Sequence, residues 1–353
     1  MPLRRLQLLL LIPTVLVAPL VGAAANSAMP PALAQWLGPQ DWKRDAAGPV
    51  VTLGKEGEFD DTHLLAAMVA KDGNTYLMWY CGSSGFAHDV APKRMPDHRV
   101  YRLGLATSTD GKHFEKHPGN PVFGLNEGTR SVLTPSILRN PDGTVQRVAG
   151  RIRMWFSSGN LGGGGRPHSI QAAESEDGVR WTNVSGDLIT RAYCPSVLKE
   201  GDEYRMWYTE PGAYPWVLKH ARSRDGLKWD IDETPVLKAM QGWEHFLSNY
   251  PAVTKVGDVY LMWYTSYATK DRLTTAVGFA ASTDGITWHK HPGNPVFRPD
   301  PSRPWESHYV SSGSTIREPD GSFRMWYFAR KEPPFLNLYY ALGTAIWTGP
   351  KPP

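Results

Sequence analysis

Pro195-Ser-Val-Leu-Lys-Glu-Gly-Asp-Glu-Tyr-Arg-Met-Trp-Tyr208, followed by Ala221-Arg-Ser-Arg-Asp-Gly-Leu-Lys-Trp229, is one unit of a pattern that runs through the chain. An apolar strand passes through a glycine-containing turn into a second strand ending Met-Trp-Tyr. A third strand then ends in Asp-Gly, with an aromatic residue three positions later. The second strand recurs as Met78-Trp79-Tyr80, Met154-Trp155-Phe156, Met206-Trp207-Tyr208, Met262-Trp263-Tyr264 and Met325-Trp326-Tyr327. Asp-Gly recurs at Asp110-Gly111, Asp177-Gly178, Asp225-Gly226 and Asp284-Gly285, followed by Phe114, Trp181, Trp229 and Trp288. The pair is a hairpin signal, and the aromatic opens a fourth strand. The fifth copy closes at Thr344-Ala-Ile-Trp347 without its Asp-Gly turn. Lys116-His-Pro-Gly-Asn-Pro-Val-Phe123 also returns letter for letter as Lys290 to Phe297. Four-stranded sheets repeated radially make a propeller. The expected fold is therefore all-β, a five-bladed β-propeller of four-stranded antiparallel sheets.

Composition agrees with many short strands joined by tight turns. The 353 residues are 41% hydrophobic and 20% charged, with 34 Gly, 30 Pro, 14 Trp and 15 Tyr, which suits a large buried core. The balance of 38 basic and 34 acidic residues gives +4, with no Lys/Arg-rich run beyond the N-terminus. That argues against a nucleic-acid partner. The two cysteines, Cys81 and Cys194, form no CxxC, and no His/Cys cluster has zinc spacing. A structural zinc site or a disulfide-dense scaffold is excluded, and whether the two pair is left to geometry.

The first residues read as an export signal. Arg4 and Arg5 precede an apolar run from Leu6 to about Val21, and Ala23-Ala24-Ala25 and Ala32-Leu33-Ala34 both offer small-x-small cleavage sites. Residues 1–34 are expected to be a signal peptide and 35–353 a single propeller domain, exported to the periplasm or the cell exterior. No cysteine lies near either cleavage site, so a lipoprotein is excluded. Loss of two arginines would lower the charge from +4 to +2, and no membrane span should remain.

In a propeller the start of each innermost strand and the loop between second and third strands share one face, where a central pocket is expected. Pro195 and Pro251 stand eleven residues before the Met of their Met-Trp-Tyr strand, with Ala67 and Ser314 at that place in blades one and five. Six residues earlier lie Asp61, His245 and His308; seven or eight earlier lie Asp60, Glu244 and Glu306. Arg130, Arg191 and His63 fall slightly closer, and Trp243 and Trp305 immediately precede the two Glu. The loops add Glu210, Arg330 and, in blade one, His88, Asp89, Lys93, Arg94, Asp97 and His98. The run Gly162 to Gly165, before Arg166 and His168, lacks the Lys-Ser/Thr of a phosphate loop.

The Met-Trp-Tyr strands with Ser-x-Asp-Gly-x-x-Trp turns resemble the five-bladed propeller glycoside hydrolases, the invertase, levansucrase, arabinanase and β-xylosidase relatives. The resemblance covers roughly Gly48 to Trp347. It implies a first-blade carboxylate as nucleophile or base, a second-blade Asp and a third-blade Glu as acid. Here the second-blade position is Thr134-Pro135 and the third-blade position Tyr193-Cys194-Pro195, so the usual second and third acids are missing.

Hydrolysis needs two carboxylates, ~5–5.5 Å apart for retention and ~6.5–9.5 Å for inversion. Asp61 or Asp60 is the expected nucleophile or base and Glu244 or Glu306 the acid. His63, Arg130, Arg191, Trp243, His245, Trp305, His308, Glu210 and Arg330 are expected to bind substrate. Two classes stay open, an exported glycoside hydrolase without cofactor and a non-catalytic carbohydrate-binding propeller. A metal site of Asp61, His63 and His308 is a third.

Overall fold

The computed structural model describes residues 29–84, 99–126, 128–160, 168–212, 215–240, 242–267, 274–331 and 341–350. Residues 1–28, the blade-one loop residues from His88 to His98, the Gly162 to Gly165 run and Arg166 lie outside the described residues. Five antiparallel sheets make the five-bladed propeller that the repeats predict. Blade one contains His63–Asp72, Thr75–Ser83, Arg102–Ser108 and Glu115–Lys116; blade two Ser131–Ile137, Arg151–Gly159, Ser169–Ser175 and Trp181–Thr182. Blade three contains Tyr193–Glu200, Glu203–Glu210, Val217–Ser223 and Asp230–Ile231; blade four Asn249–Val256, Val259–Ser266, Ala276–Ser282 and His289–Lys290. In blade five, Tyr309–Arg317, Phe323–Arg330 and Ala341–Trp347 are completed by Lys43–Arg44 from the start of the chain. The fifth copy lacks an Asp-Gly turn because its fourth strand arrives from elsewhere. Neighbouring innermost strands touch around a closed ring.

The repeat residues bolt each blade to the next. Each Asp-Gly turn is wound by its own side chains: Asp177 Oδ1 accepts from the Val179 and Arg180 amides, and Ser175 Oγ from those of Asp177 and Gly178. The Gly carbonyl is left facing the preceding blade. It accepts the indole N–H of that blade's buried Trp: Trp79 to Gly178 at 2.8 Å, Trp155 to Gly226 at 2.8 Å, Trp207 to Gly285 at 2.7 Å and Trp326 to Gly111 at 2.9 Å. Only glycine fits at Gly178, where φ is +76° and a Cβ would stand 2.8 Å from the Trp79 ring. The aromatic three residues on packs edge-to-face, Trp79 with Trp181 and Trp155 with Trp229 both at 6.3 Å. At the fifth junction Gln40 Oε1 accepts from Trp263 at 3.3 Å, and Trp42 packs on Trp263 at 5.9 Å.

The innermost strands have no sheet partner on their axial side, and neighbouring serines bond that edge. Ser136 accepts from the Val197 amide and Ser196 from the Val253 amide, both at 3.0 Å. A break in register interrupts each of these strands, with positive φ at Ala66, Thr134, Cys194 and Tyr250. These bulges and Gly313 narrow the axis to a cavity of about 30 Å³, room for a water or two and not for a sugar ring.

The fold reaches further back than residue 35. A short 3-10 turn, Pro31–Leu33, buries Leu33 completely, in one core cluster with Trp36, Leu261 and Trp263. Among the described residues no helix is long and apolar enough to cross a membrane. A chain beginning at Asn26 is expected to exceed one beginning at Gln35 by about 2–4 kcal/mol, the cost of losing a buried leucine. Equal unfolding midpoints in urea would show that Leu33 contributes nothing.

Candidate functional site

Three of the four predicted catalytic acids occupy one repeated position, and it is not the hub. Asp60, Glu244 and Glu306 are 1%, 4% and 0% exposed. Each accepts from the tyrosine of its own blade's Met-Trp-Tyr strand: Tyr80 at 2.9 Å, Tyr264 at 2.7 Å and Tyr327 at 2.8 Å. Each is also neutralised from the fourth strand, by Lys116 at 2.6 Å, Lys290 at 2.7 Å and Arg44 at 2.8 Å. These cations are equivalent, paired with Ala106, Ala280 and Ala345 of the third strands. Arg303 adds a second cation on Glu306. Burial, and then the adjacent carboxylate, pushes all three phenols far above their usual range, so they stay protonated as donors.

The aromatic residue before each acid explains why it turns from the axis. Phe59, Trp243 and Trp305 lie over Tyr80, Tyr264 and Tyr327, with ring centroids 6.0, 6.0 and 6.1 Å apart. A Cβ on Gly104, Gly278 or Gly343 of the third strands would collide with these rings at 2.6, 2.7 and 2.5 Å. The approach segment thus crosses its own blade and is pinned there before it enters the innermost strand. Asp60, Glu244 and Glu306, expected as catalytic acids, are each buried on a tyrosine and a cation of their own blade, and Trp243 and Trp305 pack on Tyr264 and Tyr327.

The other predicted residues scatter. Asp61 closes a turn, accepting from the Gly57 amide and the Thr62 hydroxyl. Arg130 is held by Asp187 and Ser169, both at 2.8 Å. His308 Nδ1 sits 2.5 Å from the Lys331 carbonyl, and His245 and Arg191 are exposed. Glu210 ends the second strand of blade three, half-buried. Asp61, His63 and His308 do not come together, and no trio of His, Cys, Asp or Glu among the described residues is placed to hold a metal. Cys81 and Cys194 are both buried and unbridged, with burial pushing the Cys81 thiol up to about 12.

The mouth itself is built from rings. Tyr193 and Tyr250 open the innermost strands of blades three and four, with hydroxyls 3.2 Å apart. His168 lies on Tyr193 at 4.6 Å, and Phe328 meets Tyr250 edge-on at 5.0 Å. His63 sits 3.2 Å from Arg99 and 6.0 Å from the Tyr101 ring. Arg330 covers Tyr309 at 5.0 Å. Of the predicted substrate-binding residues, His63 and Arg330 belong here; Tyr193, Tyr250 and Tyr101 were not foreseen. Of these side chains His168 and Tyr250 are partly exposed, while His63, Tyr101, Tyr309, Phe328 and Arg330 are buried. One residue only looks catalytic. His220 bonds Asp232 at 2.6 Å, but its other nitrogen accepts from Arg205 at 3.2 Å, so it cannot act as a base.

No protein-family model matches the chain. The uncharacterized proteins MT1551 and Rv1502, from two strains of Mycobacterium tuberculosis, are each 32% identical over 225 residues, 59% of this chain and 68% of theirs. Among solved structures, a glycosyl hydrolase from Bacteroides ovatus superposes with TM-score 0.65 at 15% identity, covering 89% of this chain and 95% of its own. A structure from work on the GH130 family of mannoside phosphorylases, which contains glycoside hydrolases targeting β-1,2 mannosidic linkages in Candida mannan, gives 0.65 at 17% identity over 89% and 95%. An N-acetylgalactosamine deacetylase from F. plautii, in complex with blood group B trisaccharide, gives 0.64 at 16% identity over 86% and 94%. At these identities the likeness is one of fold.

Two measurements test this assignment. Glu244→Gln leaves Lys290 facing a neutral group in a buried site and should cost about 3–5 kcal/mol of stability; unchanged stability would return Glu244 to the catalytic candidates. Burial lowers the His168 pKa from 6.5 to about 4. Its neutral ring thus contributes stability that is complete above about pH 6.5 and lost as pH falls toward 4. As pH falls through that window wild type should lose stability relative to His168→Phe, and a pH-independent difference would mean the ring is not buried.

Proposed function

The chain belongs to the same family as the two mycobacterial proteins, and we propose that it is a carbohydrate-binding propeller that grips a glycan at the mouth of its hub. One observation carries this reading. At the entrance to the hub the partly exposed side chains are His168 and Tyr250, set on buried tyrosine and arginine, whereas three of the four expected acids are bonded inside their own blades. The kinship of fold with glycoside hydrolases, and with a deacetylase complexed to a trisaccharide, supports a sugar as the ligand. Arg4, Arg5 and the apolar run after them support action outside the cytoplasm.

A second reading, an exported glycoside hydrolase, is favoured by the hydrolases among those neighbours of fold. Of the expected acids only Asp61 remains half-exposed, so it is the one on which hydrolysis through them would have to rest.

The discriminating experiment pairs a glycan array and titration calorimetry with a reducing-sugar assay on the same glycans. Saturable binding without release of reducing ends is expected, and Asp61→Asn should bind as wild type does. Release that Asp61→Asn abolishes would replace the binding reading with the hydrolase one.

A further inference from the structure

His168 is held in an unusual way. Its ring lies on Tyr193 at 4.6 Å with planes 38° apart, and Tyr193 is steadied in turn by the Tyr250 hydroxyl at 3.2 Å. The Nδ1 edge faces Gly159, where a Cβ would stand 2.6 Å from that nitrogen. Nδ1 is buried and bonds nothing in the protein, and Nε2, on the opposite edge, has no partner among the described residues. Other buried histidines are anchored by a hydrogen bond from at least one ring nitrogen: His63 meets Arg99, His220 meets Asp232 and His291 meets the Gly38 carbonyl. A ring fixed by stacking, with one edge closed by backbone and the other without a protein partner, is suited to reading a ligand.

We propose that His168 determines specificity at the mouth, its Nε2 hydrogen-bonding a hydroxyl of a neutral sugar while Tyr193 carries the ring. The proposal rests on the carbohydrate-binding reading. A neutral imidazole offers one donor and one acceptor, and a sugar hydroxyl can answer either. Burial keeps the ring neutral well below pH 7. No carboxylate among the described residues bonds His168 to pair with a cationic ligand, and no three His, Cys, Asp or Glu there are placed to hold a metal.

The test uses the full-length chain and the tightest neutral oligosaccharide found on an array. His168→Phe keeps a ring on Tyr193 and removes both nitrogens; His168→Gln restores hydrogen-bonding atoms. Calorimetry should show about a tenfold loss for His168→Phe and recovery to within about threefold for His168→Gln, with melting midpoints above pH 7 close to wild type. Wild-type affinity in His168→Phe, or equal losses in both variants, would overturn the proposal while leaving the carbohydrate reading intact. If wild type binds no neutral glycan, that reading falls and takes this one with it. Should His168→Phe fail to fold, the ¹⁵N shift of Nε2 in wild type decides: movement on adding the glycan supports the contact, and none overturns it.

Discussion

The indole-to-glycine hydrogen bond between successive blades is the contact on which the architecture turns. A sheet blade has two faces to cover, and the indole N–H of each second-strand Trp finds its acceptor outside its own blade. In four of the five junctions the acceptor is the next repeat's hairpin, where the Asp and Ser side chains wind the turn so that its glycine carbonyl takes this indole, and in three of them the hairpin's own Trp as well. Each bond is worth about 1 kcal/mol net, yet its geometric effect is larger. It fixes the angle between neighbours, and repeating that angle five times closes the ring.

The fold was legible because this interaction is local in sequence at both ends. Met-Trp-Tyr and Asp-Gly-x-x-aromatic are short and regularly placed, so counting recovered the strands. The missing fifth turn was visible as well; its substitute was not. Gln40 and Trp42 supply an amide oxygen and an indole from a stretch with no repeat signature.

The site was harder to read. Counting back from the innermost strand shows that a residue lies near that strand's entrance and not which way its segment travels. Trp243-Glu244 and Trp305-Glu306 read as Trp–acid pairs at a sugar site, but their rings lie over Gly278 and Gly343, and Phe59-Asp60 forms the same pair over Gly104 in blade one. The clue lay in the octapeptide repeat, which puts Lys116 and Lys290 in two of the blades that carry such a pair. Tyr193 and Tyr250 stayed hidden for another reason. The left-handed residues beside or at them, Cys194 and Tyr250, break the alternation by which a strand's inward side chains are counted.

Blade five is stitched from both extremities of the polypeptide, Lys43–Arg44 lying against Ala345–Ile346. The ladder contact of greatest sequence separation is therefore the one that seals the circle, and the loop-closure entropy it must overcome is correspondingly high. Four blades can assemble as an open arc while the last is still being made. Until then Trp263 has neither Gln40 nor Trp42 against it, which leaves the unfinished arc with one adhesive apolar end.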